Sequence, residues 1–75
     1  MFEQIVKIIS QNLNAKPERI SLETNIIDDL GANSIEVVEL LMAIEEAFEV
    51  SVPDEDIPGL RTVKDIMDYL ETHLG

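Results

Sequence analysis

Apolar residues recur every three or four positions in three stretches of this chain, and no run of any length alternates with period two. The pattern predicts helices and no strands. In the first stretch Phe2, Ile5, Val6, Ile9 and Leu13 form a stripe, with Glu3, Gln4, Lys7 and Gln11 on the other side. The spacing predicts a helix from Phe2 to Leu13, broken by Asn14, Ala15, Lys16 and Pro17. The second stretch, Ser34 to Val50, contains no Gly or Pro and is rich in Glu, Leu, Ala and Met, all good helix formers. It ends against Val50-Ser51-Val52-Pro53. The third opens at Thr62, where Thr62 and Asp65 form a Thr-x-x-Asp capping box. Its stripe is Val63, Ile66, Met67, Leu70 and Leu74, and Gly75 ends the sequence. Between the second and third stretches, "PDEDIPG" (Pro53 to Gly59) has room for a turn or two of helix, with Pro53 suited to the first position. The expected fold is all-α: a small four-helix bundle of three main helices and one short helix, with a long first loop, in a single domain spanning 1–75.

That loop, residues 14–33, is too long to be left loose in a small domain. Ile20, Leu22, Ile26, Ile27 and Leu30 are the candidate anchors, and a short helical turn fits near Pro17–Ile20.

Turned at about 100° per residue, the second helix separates into two faces. Val37, Leu40, Leu41, Ile44, Ala47 and Phe48 gather on one, which is the core face. Ile35, Val38, Glu39, Met42, Glu45, Glu46 and Glu49 gather on the other. A face meant only for water has no use for Ile35, Val38 and Met42. Oily residues among carboxylates suit a docking strip, where Met adapts to varied surfaces and the acids meet Lys or Arg. The competing assignment packs one or two of these residues, Val38 first, beneath the loop.

Charge sharpens that picture. The chain has 16 acidic and five basic side chains in 75 residues, a net charge of -11. Such a surface repels nucleic acid and anionic lipid and favours basic partners. There is no cysteine, which removes disulfides, thiolate metal sites and cysteine nucleophiles. No apolar run approaches the roughly 18 residues that span a bilayer. The N-terminus lacks the basic and apolar regions of a signal peptide. The expectation is a cytoplasmic monomer with no membrane insertion.

The remaining candidate for chemistry is Ser34, within "DDLGANSIEVVEL" (Asp28 to Leu40). Asn33 and Ser34 are both good N-caps, but only Asn33 has a Glu at the third helical position, Glu36, to complete an Asn-x-x-Glu box. Ser34 then occupies the first helical position, where its hydroxyl is not needed by the backbone. The first turn of a helix carries unpaired N–H groups and the positive end of the dipole, so a phosphate linked to Ser34 would be favoured there. Gly31 and Ala32 are small and predict open access. Taken alone, the same spacing also fits an ordinary exposed serine.

The segment "DDLGANSIEVVELLMAIEEAFEV" resembles the modification segment of acyl carrier proteins, which have an Asp-Leu-Gly-x-Asp-Ser-Leu pattern followed by an acidic helix. The resemblance extends from Phe2 to about Leu74 and includes the long first loop, the "VPDEDI" turn and the "TVKDIMDYL" helix. It implies that Ser34 carries 4′-phosphopantetheine through a phosphodiester, and that the arm's thiol holds acyl groups as thioesters. An imported thiol fits a chain without cysteine. The protein is then a carrier and not an enzyme, with no catalytic residue and no metal site of its own. Asp29, Leu30 and Gly31 match the motif. Asp29, Asn33, Ile35, Glu36, Val38, Glu39, Met42, Glu45 and Glu46 fall where the family meets its enzymes, with Asp54, Glu55, Asp56 and Ile57 as a second, smaller contact. The expected partners have basic patches: the phosphopantetheinyl transferase and acyl-chain synthesis enzymes. Leu40, Ile44, Ile57, Leu60 and Ile66 are the expected lining of an acyl groove. One position departs from the pattern: Asn33 stands where the family usually has Asp, which keeps the cap and loses the charge. Fatty acid synthesis is the expected pathway. The alternatives are a specialised carrier for polyketide, peptide or other acyl work, and an acidic adaptor that carries nothing.

Weaker signals fall away. "DEDIPGLRTVKD" imitates a calcium loop, but Pro58 takes the fifth position and Asp65, not Glu, the twelfth. His73 reads as a cation near a helix end. A Ser34–His73 hydrolase lacks the Gly-x-Ser-x-Gly elbow. Asp28 and Asp29 read as a solvated acidic stretch.

Overall fold

Ile5, Val6 and Ile9 bury one side of the first helix, α1 (Phe2–Leu13), in a computed structural model that describes residues 1–74. The side chain of Leu74, the last residue of the expected third stripe, lies outside the described residues, as does Gly75. α1 stops at Asn14, whose φ of 54° is left-handed. Asn is one of the few residues that adopts this conformation readily. The Ser10 hydroxyl donates to the Ala15 carbonyl at 2.8 Å and folds the chain back over the helix end.

The second helix, α2, spans Ser34–Phe48, two residues short of the expected end at Val50. The stop is Glu49, which turns left-handed at φ 55° although no Gly or Asn marks the place. The pull comes from beyond it. Val52 is buried, and its amide donates to the Glu45 carboxylate at 2.8 Å, so the chain must double back. Val37, Leu40, Leu41 and Ile44 are buried as the periodicity predicts, and Phe48 is half-buried. Ala47, at the margin of that stripe, is exposed.

A short 3-10 helix, Asp54–Gly59, follows, with Pro53 as its cap and not its first residue. The last helix, α3, spans Val63–Leu74 and buries Val63, Ile66 and Leu70. The described residues form a helical bundle of three main helices and one short one, with a further single 3-10 turn at Pro17–Arg19 in the long loop. α1 lies closest against α2.

The loop 14–33 is held by two devices. Ile20 and Ile26 are buried as expected, whereas Leu22 and Ile27 are exposed and Leu30 is half-buried. The corrected anchors are polar and backbone groups. Thr24, the one buried polar residue of the described chain, accepts the Ser21 amide at 2.8 Å. The Asn25 side chain accepts the amides of Ile27 and Asp28 at 2.9 and 2.8 Å, and Asp29 accepts the Asn25 amide at 2.7 Å. The loop then pairs with the approach to α3: Ile26 donates to the Arg61 carbonyl, Val63 to that of Thr24 and Lys64 to that of Leu22. Among the described residues there is no strand, but Asn25 and Thr62 form an isolated antiparallel bridge. The chain leaves this bridge in a turn held by the Asn25 side chain, with Ile26 buried and its neighbour Ile27 exposed.

Candidate functional site at the start of α2

Asn33 caps α2 with the reciprocal box that the spacing predicts. Its side-chain oxygen accepts the Glu36 amide at 2.8 Å, and the Glu36 carboxylate accepts the Asn33 amide at 3.0 Å. Gly31 precedes the cap at φ 71°, the left-handed region in which a side chain would be strained. Its turn is closed by its own amide, which donates to the Ile27 carbonyl, and by that of Ala32, which donates to Ile26. Ala32 is buried, so it serves as a packed floor and not as the open approach that its size suggests.

Ser34 is the first residue of α2 and is exposed. Among the described residues, no side-chain or backbone hydrogen bond uses its hydroxyl, its amide or the amide of Ile35. A free hydroxyl therefore stands beside two unpaired N–H groups at the positive end of a 15-residue helix. An anion attached to that oxygen would meet donors already in place.

The serine opens onto a cleft of about 390 Å³ lined by Ile27, Ala32, Val37, Val38, Ile57, Pro58 and Leu60, with Asn33, Ser34 and Arg61 at its polar edge. Of the five residues expected to line a groove, Ile57 and Leu60 lie on this cleft. Leu40, Ile44 and Ile66 are sealed in the core beneath it, at no more than 2% exposure. Ile27 and Arg61 were not anticipated on it. Each carried a faint sign: Ile27 is an apolar residue next to a pair of acids, and Arg61 is the one base within "DEDIPGLRTV".

The second face of α2 is exposed as an apolar strip: Ile35 is 69%, Met42 60% and Val38 43% exposed. Glu39 and Glu46 stand free beside it. The other acids of the expected contact surfaces also hold the fold together. Glu36 closes the cap, Glu45 receives the Val52 amide, Asp29 receives the Asn25 amide and Asp56 accepts the Tyr69 hydroxyl at 2.8 Å. Asp54 is exposed on the short helix.

Two groups near the second acidic surface are perturbed. Removal from water raises the Tyr69 phenol above its ordinary value, reinforced by its hydrogen bond to Asp56 and by that carboxylate's charge. The Thr62 amide lowers the Asp65 carboxyl. Partial burial opposes this, and the Arg61 amide adds to it. His73 stacks on Tyr69 with ring centroids 4.0 Å apart. It lines a shallow depression with Asp65 and Asp68 that Ser34 does not share. Among the described residues, no group of three or more acids or histidines is placed to hold a metal ion, and no helix is long and apolar enough to cross a membrane.

Residues 3–70 match the family described as "Phosphopantetheine attachment site". The chain therefore belongs to that family, and the relatives it resembles within it are acyl carrier proteins. It is 58% identical over 67 residues to the acyl carrier protein of Syntrophobacter fumaroxidans, covering 89% of this chain and 83% of that one. It is 44% identical over 73 residues to that of Clostridium perfringens, covering 97% and 96%. Among solved structures, the acyl carrier protein of Enterococcus faecalis superposes with a TM-score of 0.81 at 32% identity, over 95% of this chain and 90% of that one. The cofactor of the family is phosphopantetheine.

Proposed function

We propose that Ser34 is the attachment point and that this single domain, residues 1–75, carries acyl groups on a 4′-phosphopantetheine arm. The arm supplies a terminal thiol that holds acyl groups as thioesters. The observation that carries this reading is the exposed, unengaged Ser34 hydroxyl beside two free amides, at the mouth of an apolar cleft. The protein's own contribution is positional. The Asn33–Glu36 box fixes the direction of α2, the free amides of Ser34 and Ile35 face the phosphodiester, and Ile57, Leu60 and Val37 offer apolar surface nearby.

Partners are read as the transferase that installs the arm and acyl-chain synthesis enzymes, those of fatty acid synthesis first, in the cytoplasm and with the carrier as a monomer. What supports them is the exposed strip of Ile35, Val38 and Met42 flanked by Glu39 and Glu46, on a chain of net charge -11. Basic partners would be drawn to it quickly and released readily, with strong salt dependence.

The test is incubation with coenzyme A and a broad-specificity phosphopantetheinyl transferase, followed by mass spectrometry of the intact protein and its peptides. One arm should appear on Ser34 and none on Ser34→Ala. An unchanged mass, or an arm elsewhere, defeats the reading. Ser34→Ala also separates a carrier from an adaptor, because an adaptor would keep its function without the hydroxyl.

A further inference from the structure

We infer that Arg61 is a positioning residue for the arm, its guanidinium pairing with the phosphodiester on Ser34 across the mouth of the cleft. The inference rests on the attachment proposed above. Among the described residues ten line that cleft, and of these Arg61 alone is charged. In a chain with five basic and 16 acidic residues, a base on the same cleft as Ser34 is an uncommon placement.

The backbone of Arg61 is fixed from both sides. Its carbonyl accepts the Ile26 amide at 2.8 Å, and its own amide donates to Asp65 at 3.2 Å. The side chain is partly oriented, with Nε donating to the Pro58 carbonyl at 3.3 Å. Among the described residues no hydrogen bond uses its two terminal nitrogens. The carboxylate that competes for it is Asp65, whose charge it feels. Its Oδ2 already accepts the amides of Arg61 and Thr62, and the residue lines the neighbouring depression and not this cleft.

A phosphodiester is a permanent monoanion with two free oxygens, which a guanidinium meets with a pair of parallel bonds. Held between Arg61 and the free amides at the start of α2, the near end of the arm would lie along the cleft instead of sweeping freely. The pair is exposed, so it guides the arm and releases it.

The test compares apo and enzymatically loaded protein by NMR, for the native chain, Arg61→Gln and Arg61→Lys. In the native chain the Arg61 Nε–H resonance should move on loading, and high salt should reverse that movement. In loaded Arg61→Gln the phosphorus resonance should shift and the arm protons should relax as a freer chain. Arg61→Lys should restore the phosphorus shift in part, since it keeps the charge and loses the fork. A merely structural role would alter apo and loaded forms alike. Unmoved Arg61 and phosphorus signals, with the arm shown by mass to be on Ser34, overturn this inference alone. Absence of an arm on Ser34 overturns it together with the attachment.

Discussion

At the start of α2, Asn33 and Glu36 each accept the other's amide; at the start of α3, Thr62 and Asp65 do the same. The next two residues fare differently. After Thr62, Val63 is fully buried, and the amides of Val63 and Lys64 are taken by the carbonyls of Thr24 and Leu22. After Asn33, Ser34 and Ile35 are exposed, and among the described residues their amides donate to nothing. Both helix ends carry the same dipole and the same cap. The long loop covers one of them and leaves the other open. Capping alone therefore does not distinguish the two starts; two idle donors and an exposed oxygen next to a cleft do.

Exchanging the residue types at the two first positions should break the symmetry most strongly. Val63→Ser removes a fully buried side chain and leaves a hydroxyl in its place. Loss of about 2–3 kcal/mol is expected, a large part of the roughly 4–11 kcal/mol that a 75-residue domain commands at typical per-residue stability. Ser34→Val should leave stability within about 0.5 kcal/mol and abolish loading. Urea unfolding and intact mass together read both effects. A Val63→Ser chain as stable as the native one would show that the loop does not seal α3 as described.

Removing the caps should give matched costs with unmatched consequences. Asn33→Ala and Thr62→Ala should each cost about 1 kcal/mol in urea unfolding. Only Asn33→Ala should also slow loading by the transferase, because it loosens the turn that presents Ser34. Asn33→Asp keeps the cap, places a negative charge at the positive helix end, and should add up to about 1 kcal/mol. On the carrier reading it should also quicken loading, since Asp is the residue usual at this position in the family. Equal loading rates for all four chains would detach Asn33 from function and leave it a plain cap.

The two helix starts also show what the sequence can reveal. Both boxes are legible because a cap is a matter of three residues, and the stripes of Ile5, Val6 and Ile9 and of Val37, Leu40, Leu41 and Ile44 are set by local period. The free hydroxyl of Ser34 followed from counting to the right cap. The cleft did not follow, because its walls come from loop residues near 27 and 57–61 joined by pairing across some 35 positions. No period announces that Ile26 turns in while Ile27 turns out. For the same reason Leu40, Ile44 and Ile66, correctly read as inward-facing, lie too deep to line a groove that Ile57 and Leu60 reach.

Acid should uncouple the two boxes by the smallest margin. The folded state holds the Asp65 carboxyl below its ordinary value of 3.8, chiefly through the Thr62 amide. A carboxyl whose folded pKa is depressed stabilises the fold above its unfolded pKa, and that contribution fades as the pH falls through the folded value. The group is only partly buried, so the effect is modest. It also competes with a gain common to the whole chain, since protonating the other carboxylates relieves repulsion in a protein of net charge -11. The comparison of native protein with Asp65→Asn cancels that common term. The native chain should be the more stable at pH 6, and the gap should narrow as the pH drops below about 3.8 and the Asp65 carboxylate takes up its proton. A gap that stays constant from pH 6 to pH 3 would mean that Asp65 holds the start of α3 by shape and not by charge.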